Sequence, residues 1–159
     1  MVSEIEIGPA RGSERRALLE LWVGLIEHHR KLDPGYPHLS HSEAGLREGL
    51  LAEIDRALAD SRCTIFVARV AAGDGDELAG FCFAELEPDA TAWIHELFVR
   101  PAERRRGLGR ALVGATLDRL AEQRPAKISV RVESANTEAQ QFWHKLAFRE
   151  HAKILVLSQ

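Results

Sequence analysis

Cysteine is scarce in this chain, with only Cys63 and Cys82 among 159 residues. Two thiols make no disulfide framework and cannot alone close a zinc site. They are expected as reduced residues within strand-like runs. No apolar run approaches the length that spans a bilayer, and the N-terminus lacks a basic segment followed by an apolar one. These absences set the expectation of a cytoplasmic protein with no membrane partner. A surplus of positive charge is also missing: the net charge is −3, which argues against a general nucleic-acid surface. Repeats, linkers and low-complexity segments are absent. A single domain over residues 1–159 is therefore expected.

The pattern along the chain is mixed. Glu4 to Ile7 alternates as a short strand. Leu18, Leu21, Trp22, Leu25 and Ile26 follow helical spacing, with Ser13 as the expected N-cap. Asp33-Pro34-Gly35 and Pro37 break that pattern. Ser40-x-x-Glu43 then reads as a capping box for a helix carrying Leu46, Leu50, Ile54 and Leu58. Thr64–Val70, Leu78–Leu86 and Ala92–Val99 read as strands joined by short turns, hence an antiparallel meander. A helix over 107–123 ends at Pro125, and Ile128–Val132 is expected to pair parallel to the strand ending at Val99. Asn136 caps a helix bearing Ala139, Phe142, Trp143 and Leu146, and Ile154–Leu157 reads as a closing strand.

The richest stretch is Val99 to Leu112, where a strand runs through a basic, glycine-containing loop into a helix. A helix N-terminus offers unpaired N–H groups and a positive dipole end, a natural seat for phosphate. Gly109 is followed by Arg110 and Ala111, so the loop is not a P-loop. Leu112 stands where a dinucleotide fingerprint needs its third glycine or alanine. The form Arg104-x-x-Gly107-x-Gly109 resembles instead the acyl-CoA pyrophosphate loop of the GNAT superfamily of N-acetyltransferases. Asn136-x-x-Ala139-x-x-Phe142-Trp143-x-Lys145-Leu146-Ala147-Phe148 is similar to a second segment of that family. The element order β-α-α-β-β-β-α-β-α-β matches it over nearly the whole chain. The resemblance implies an α/β (α+β) fold: a mixed central sheet of about six to seven strands flanked by four helices. Two positions depart from the family pattern: Trp143 replaces the usual tyrosine and Ala147 the usual glycine.

The resemblance further implies acetyl-CoA as cofactor and a homodimer. Phe98 and Val99 would offer main-chain contacts to the pantetheine arm. Arg104, Arg105, Arg106, Gly107, Leu108, Gly109 and Arg110 would hold the pyrophosphate, with Asn136 and Trp143 beside the arm. Acetyl transfer to an amine requires loss of a proton from the ammonium, whose pKa is near 10.4. His95 is the first candidate base, with Glu96 beside it as in small-amine acetyltransferases of the family. Strand alternation sends their side chains to opposite faces, so a bulge is needed for both to enter one site. Glu85 is a weaker candidate for contact with the substrate, as is Glu87.

The family tyrosine is thought to protonate the leaving thiolate, and an indole N–H cannot. A water, Ser134 or the acceptor ammonium remain as proton sources, or none is needed. His28, His29, Tyr36, His38 and His41 cluster over 28–45, expected as a polar lid without a metal. Tyr36 and Asp33 are candidates for contact with a cationic amine. The leading expectation is acetyl transfer from acetyl-CoA to the primary amine of a small molecule, polyamine-like or amino-acid-like, in a ternary complex. Acetylation of a protein or peptide N-terminus or lysine stays open, as does a non-catalytic acyl-CoA sensor.

Overall fold

The computed structural model describes residues 5–33, 42–72 and 75–153. Five strands form one sheet in sequential order: β1 (Ile5–Pro9), β2 (Cys63–Ala72), β3 (Gly75–Leu86), β4 (Thr91–Val99) and β5 (Lys127–Val130). The first four pair antiparallel and β5 runs parallel to β4. Helices α1 (Arg15–Leu32) and α2 (Glu43–Ala59) pack on one face with Val67, Phe81, Phe83 and Phe98. Helices α3 (Leu108–Glu122) and α4 (Thr137–Lys145) join the cluster of Ala68, Cys82, Ala84 and Ile94. The two clusters contain alternate residues of the strands, which is how a period of two feeds two layers. The expected strand over Ile154–Leu157 lies outside the described residues, and among the described residues the mixed sheet has five strands, against the about six to seven expected of the whole chain.

The five apolar positions that marked α1 are all buried. Its start differs from expectation. Ser13 lies within a 3-10 turn, Gly12–Glu14, and α1 begins at Arg15 with no side-chain cap. Glu14 occupies the cap position, and its carboxylate accepts from the Arg11 N–H at 2.7 Å and from Arg69. For α2 the cap is Ser42, whose hydroxyl accepts from the Gly45 N–H, and Ser40 lies outside the described residues. Asn136 caps α4 as expected, accepting from the Ala139 N–H at 3.0 Å.

Helix α4 ends in a Schellman arrangement: Phe148 N–H donates to the Trp143 carbonyl and Ala147 N–H to that of His144. Ala147 holds a left-handed backbone, φ 68°, at the position where the family pattern has glycine. The Trp143 and Phe148 rings, 5.0 Å apart, supply the apolar contact that accompanies such caps.

Two irregularities shape the sheet. At one, Ala68 faces Gly80 while Arg69 faces Leu78, leaving Ala79 as the extra residue of β3. At the other, Phe83 faces Glu96 while Ala84 faces Ile94, leaving His95 extra on β4. Between them β3 and β4 approach closely: a Cβ at Gly80 would stand 2.6 Å from the Phe98 carbonyl oxygen, so a side chain there is excluded.

Candidate functional site

The pairing of β4 with β5 covers only Thr91–Ile94 against Lys127–Val130. Beyond Ile94 the two strands part, and a cleft of about 960 Å³ opens between them. One wall is β4 from His95 to Val99, the other the chain from Arg131 to Asn136, and the far end the 104–110 loop. A parallel pair that stops after four residues leaves strand edge without a ladder partner, an opening for an extended ligand.

The loop at the end of the cleft is built to expose amides. Arg105 and Gly107 both hold left-handed φ values, 65° and 82°. Gly107 is the N-cap of α3 and supplies no side chain, so the first N–H groups of α3 have no cap from it. Arg105 and Arg110 line the cleft. Arg106 does not; it is paired with Glu103. Arg104 lines the cleft, donates from Nε to the Val99 carbonyl at 3.0 Å, and stands over the Phe98 ring. That carbonyl, expected to face an incoming arm, already has a donor. The amides, left-handed turns and two arginines form a donor set suited to a diphosphate.

Phe98, Val99, Leu108, Gly109, Asn136 and Trp143 all border this cleft. Trp143 is buried, with its ring edge-on to Phe142 and Phe148. Ser134 is not part of the lining, and its backbone carbonyl accepts from Gln140.

A second cavity of about 240 Å³ opens on the α1–α2 side, walled by Trp22, Leu25, Ile26, Leu46, Leu50 and Phe83, with Glu53, Glu85 and His29. His95 and Glu96 line both cavities. The bulge accounts for this. With His95 unopposed on β3, strict alternation is interrupted, and neighbouring side chains reach the same junction.

Their environments differ. The His95 ring lies 5.4 Å from that of Phe83, and burial holds its pKa below the ordinary imidazole value against the pull of Glu85, Glu87 and Glu53. Glu96 has no ion-pair partner among the described residues, and burial pushes its carboxyl up to about 7. A carboxylate in that range is poised to take a proton near neutrality.

Glu85 belongs to the second cavity, but Arg56 holds it at 2.9 and 3.2 Å. Sequence reading placed Glu85 near a hairpin and missed both that arginine and Glu53. Asp33 ends α1 and lines neither cavity, while Tyr36, His38 and His41 lie outside the described residues. Cys63 and Cys82 line neither cavity, and burial pushes their thiols up to about 11 and about 12. No helix among the described residues is long and apolar enough to cross a membrane.

Residues 24–148 match the model of the acetyltransferase (GNAT) family. A mycothiol acetyltransferase of Clavibacter sepedonicus is 37% identical over 89 residues, which are 56% of this chain and 28% of that protein. The match thus spans little more than a quarter of that relative. An aminoglycoside N-acetyltransferase solved with CoA superposes with a TM-score of 0.74 at 18% identity, covering 100% of this chain and 97% of that one. A protein described as a transcriptional regulator from Bacillus halodurans reaches 0.75 at 17% identity, covering 98% and 100%. At such identities the likeness concerns the fold.

Proposed function

The chain belongs to the acetyltransferase (GNAT) family, and from that premise we propose that it transfers the acetyl group of acetyl-CoA to the primary amine of a small molecule. Transfer is direct, in a ternary complex. The observation that carries this reading is the junction: two cavities meet at His95 and Glu96. The cleft takes the cofactor, with the 104–110 loop on the pyrophosphate and the parted edge of β4 along the pantetheine arm. Bound acetyl-CoA supplies an activated thioester carbonyl. The smaller cavity takes the amine.

Glu96, rather than His95, is the base in this reading. It is the more recessed of the two, its ordinary acidity is suppressed by burial, and no cation holds it ionised. His95, whose pKa lies below that of a free imidazole, is available to accept a hydrogen bond from the amine at the mouth between the cavities. Trp143 borders the cleft at the family's tyrosine position and delivers no proton. A CoA thiol, with acidity near that of cysteine at about 8.5, can leave without one. The homodimer and the cytoplasmic setting belong to the same reading.

Trp143 also favours a second reading, a protein that binds acyl-CoA without turning it over. Incubation with acetyl-CoA and pooled amines, amino acids, polyamines and peptides, read by product mass, separates the two. An acetylated product that disappears in Glu96→Gln and weakens in His95→Ala is expected. Acetyl-CoA bound without any product would install the second reading, most clearly if Trp143→Tyr alone produced turnover.

A further inference from the structure

The smaller cavity has a chemical character that narrows the acceptor, given the acetyl-transfer reading on which this step rests. Six of its walls are apolar side chains from α1, α2 and β3, and its carboxylates are Glu53, Glu85 and Glu96. Glu53 and Glu85 are not free to meet two cations. Arg56, which does not line the cavity, bridges them, at 2.7 and 3.0 Å to Glu53 and at 2.9 and 3.2 Å to Glu85. Arg62 also stands 3.9 Å from Glu85 and pairs with Asp60, so three carboxylates and two guanidiniums leave this cluster one net negative charge, and Glu96 adds its own only after releasing its proton. Glu87, which lines the larger cleft, stands near Glu85 and His95 at the mouth.

A volume of about 240 Å³ has room for about eight water molecules at roughly 30 Å³ each. From this size, the apolar walls and the single residual charge, we infer that the acceptor is a compact monoamine with an alkyl or aryl body. Its ammonium lies toward Glu85 and Glu96, and its body lies among Trp22, Leu46, Leu50 and Phe83. A polyamine would bury a second ammonium against leucine and phenylalanine without a counter-charge. An amino sugar would leave its hydroxyl groups unpaired on the same walls.

The experiment compares 2-phenylethylamine, spermidine and glucosamine as acceptors, with calorimetric titration of 2-phenylethylamine into protein saturated with CoA. For the monoamine, kcat/KM at least tenfold above the other two is expected. Leu50→Glu, with Leu46→Glu if the first does not fold, should lower the monoamine's kcat/KM at least tenfold and leave the KM of acetyl-CoA unchanged. Spermidine or glucosamine turned over as well as the monoamine overturns the inference and leaves acetyl transfer standing. Calorimetric binding that Leu50→Glu abolishes, without product from any amine, overturns acetyl transfer and supports the cavity assignment. The absence of both binding heat and product with 2-phenylethylamine overturns the assignment.

Discussion

The sheet contains two bulges, each beside an ionisable side chain withdrawn from water, and they treat that side chain in opposite ways. Next to Ala79, Arg69 is 2% exposed and bonded at all three guanidinium nitrogens: Glu14 at 2.6 and 2.9 Å, Glu6 at 3.0 Å and the Pro9 carbonyl at 2.9 Å. Next to His95, Glu96 has no ion-pair partner among the described residues and opens on two cavities. A buried charge with all three guanidinium nitrogens bonded fastens β1, β2 and the turn before α1 together. A half-buried carboxyl without a cation is a cost to the fold, of the kind found where a base is needed. On the acetyl-transfer reading proposed above, the same backbone device serves architecture beside Arg69 and reactivity beside Glu96.

The contrast breaks most sharply at Glu96. In Glu96→Gln, kcat/KM should fall about 100- to 10,000-fold while the urea midpoint at pH 8 holds or rises. A midpoint that drops with the rate would make Glu96 architectural. Arg69→Ala should invert the pattern. Removing the cation from two carboxylates should cost about 3–5 kcal/mol in denaturant unfolding, with kcat per folded molecule unchanged.

Titration sharpens the comparison further, because the two sites have opposite signs. Burial raises the folded-state pKa of Glu96 from 4.5 to about 7, so the native state holds a proton the unfolded chain has released. Stability from this group should decline as pH climbs from 4.5 to 7, and kcat/KM should rise through the upper end of that window. Glu14 runs the other way. Burial opposes ionisation, but the hydrogen bonds and charge of Arg69 together with Arg11 outweigh it, and its pKa lies below 4.5. Its contribution is present above that value and is lost as pH falls through the lower folded value. Urea midpoints from pH 3 to 8 should lose the first slope in Glu96→Gln and the second in Glu14→Gln.

The smallest effect belongs to a control outside both bulges. Ala147→Gly relieves a left-handed alanine that costs about 1–2 kcal/mol. Part of this is offset by the freedom glycine adds to the unfolded chain. A net gain of about 0.5–1 kcal/mol in thermal unfolding is expected, with no change in the rate of either variant above.

Locally encoded features were legible before the structure. The spacing of Leu18, Leu21, Trp22, Leu25 and Ile26 placed α1, the Asn136 cap placed α4, and the glycines at 107 and 109 marked the loop that ends the cleft. Features set by distant partners were not. Arg69 reads as a polar position on an alternating strand until carboxylates 55 and 63 residues away close over it. Glu85 reads as the solvated end of a strand because Arg56 comes from another element, 29 residues back. The need for a bulge at His95 and Glu96 followed from alternation, but its presence depends on the register against β3. Ser13 failed as a cap because Glu14, drawn to Arg69 and Arg11, takes the chain through a tighter turn first.

The early parting of β4 from β5 makes the sheet an unfinished fabric, open along β4 from His95 onward. A solute that lays its own donors and acceptors along that edge completes the weave, and the folded state then depends on how much of that solute surrounds it. At a hundred times its dissociation constant such a solute adds about 2.7 kcal/mol to unfolding. Heat tolerance of this chain is in that sense a property of its medium as much as of its residues.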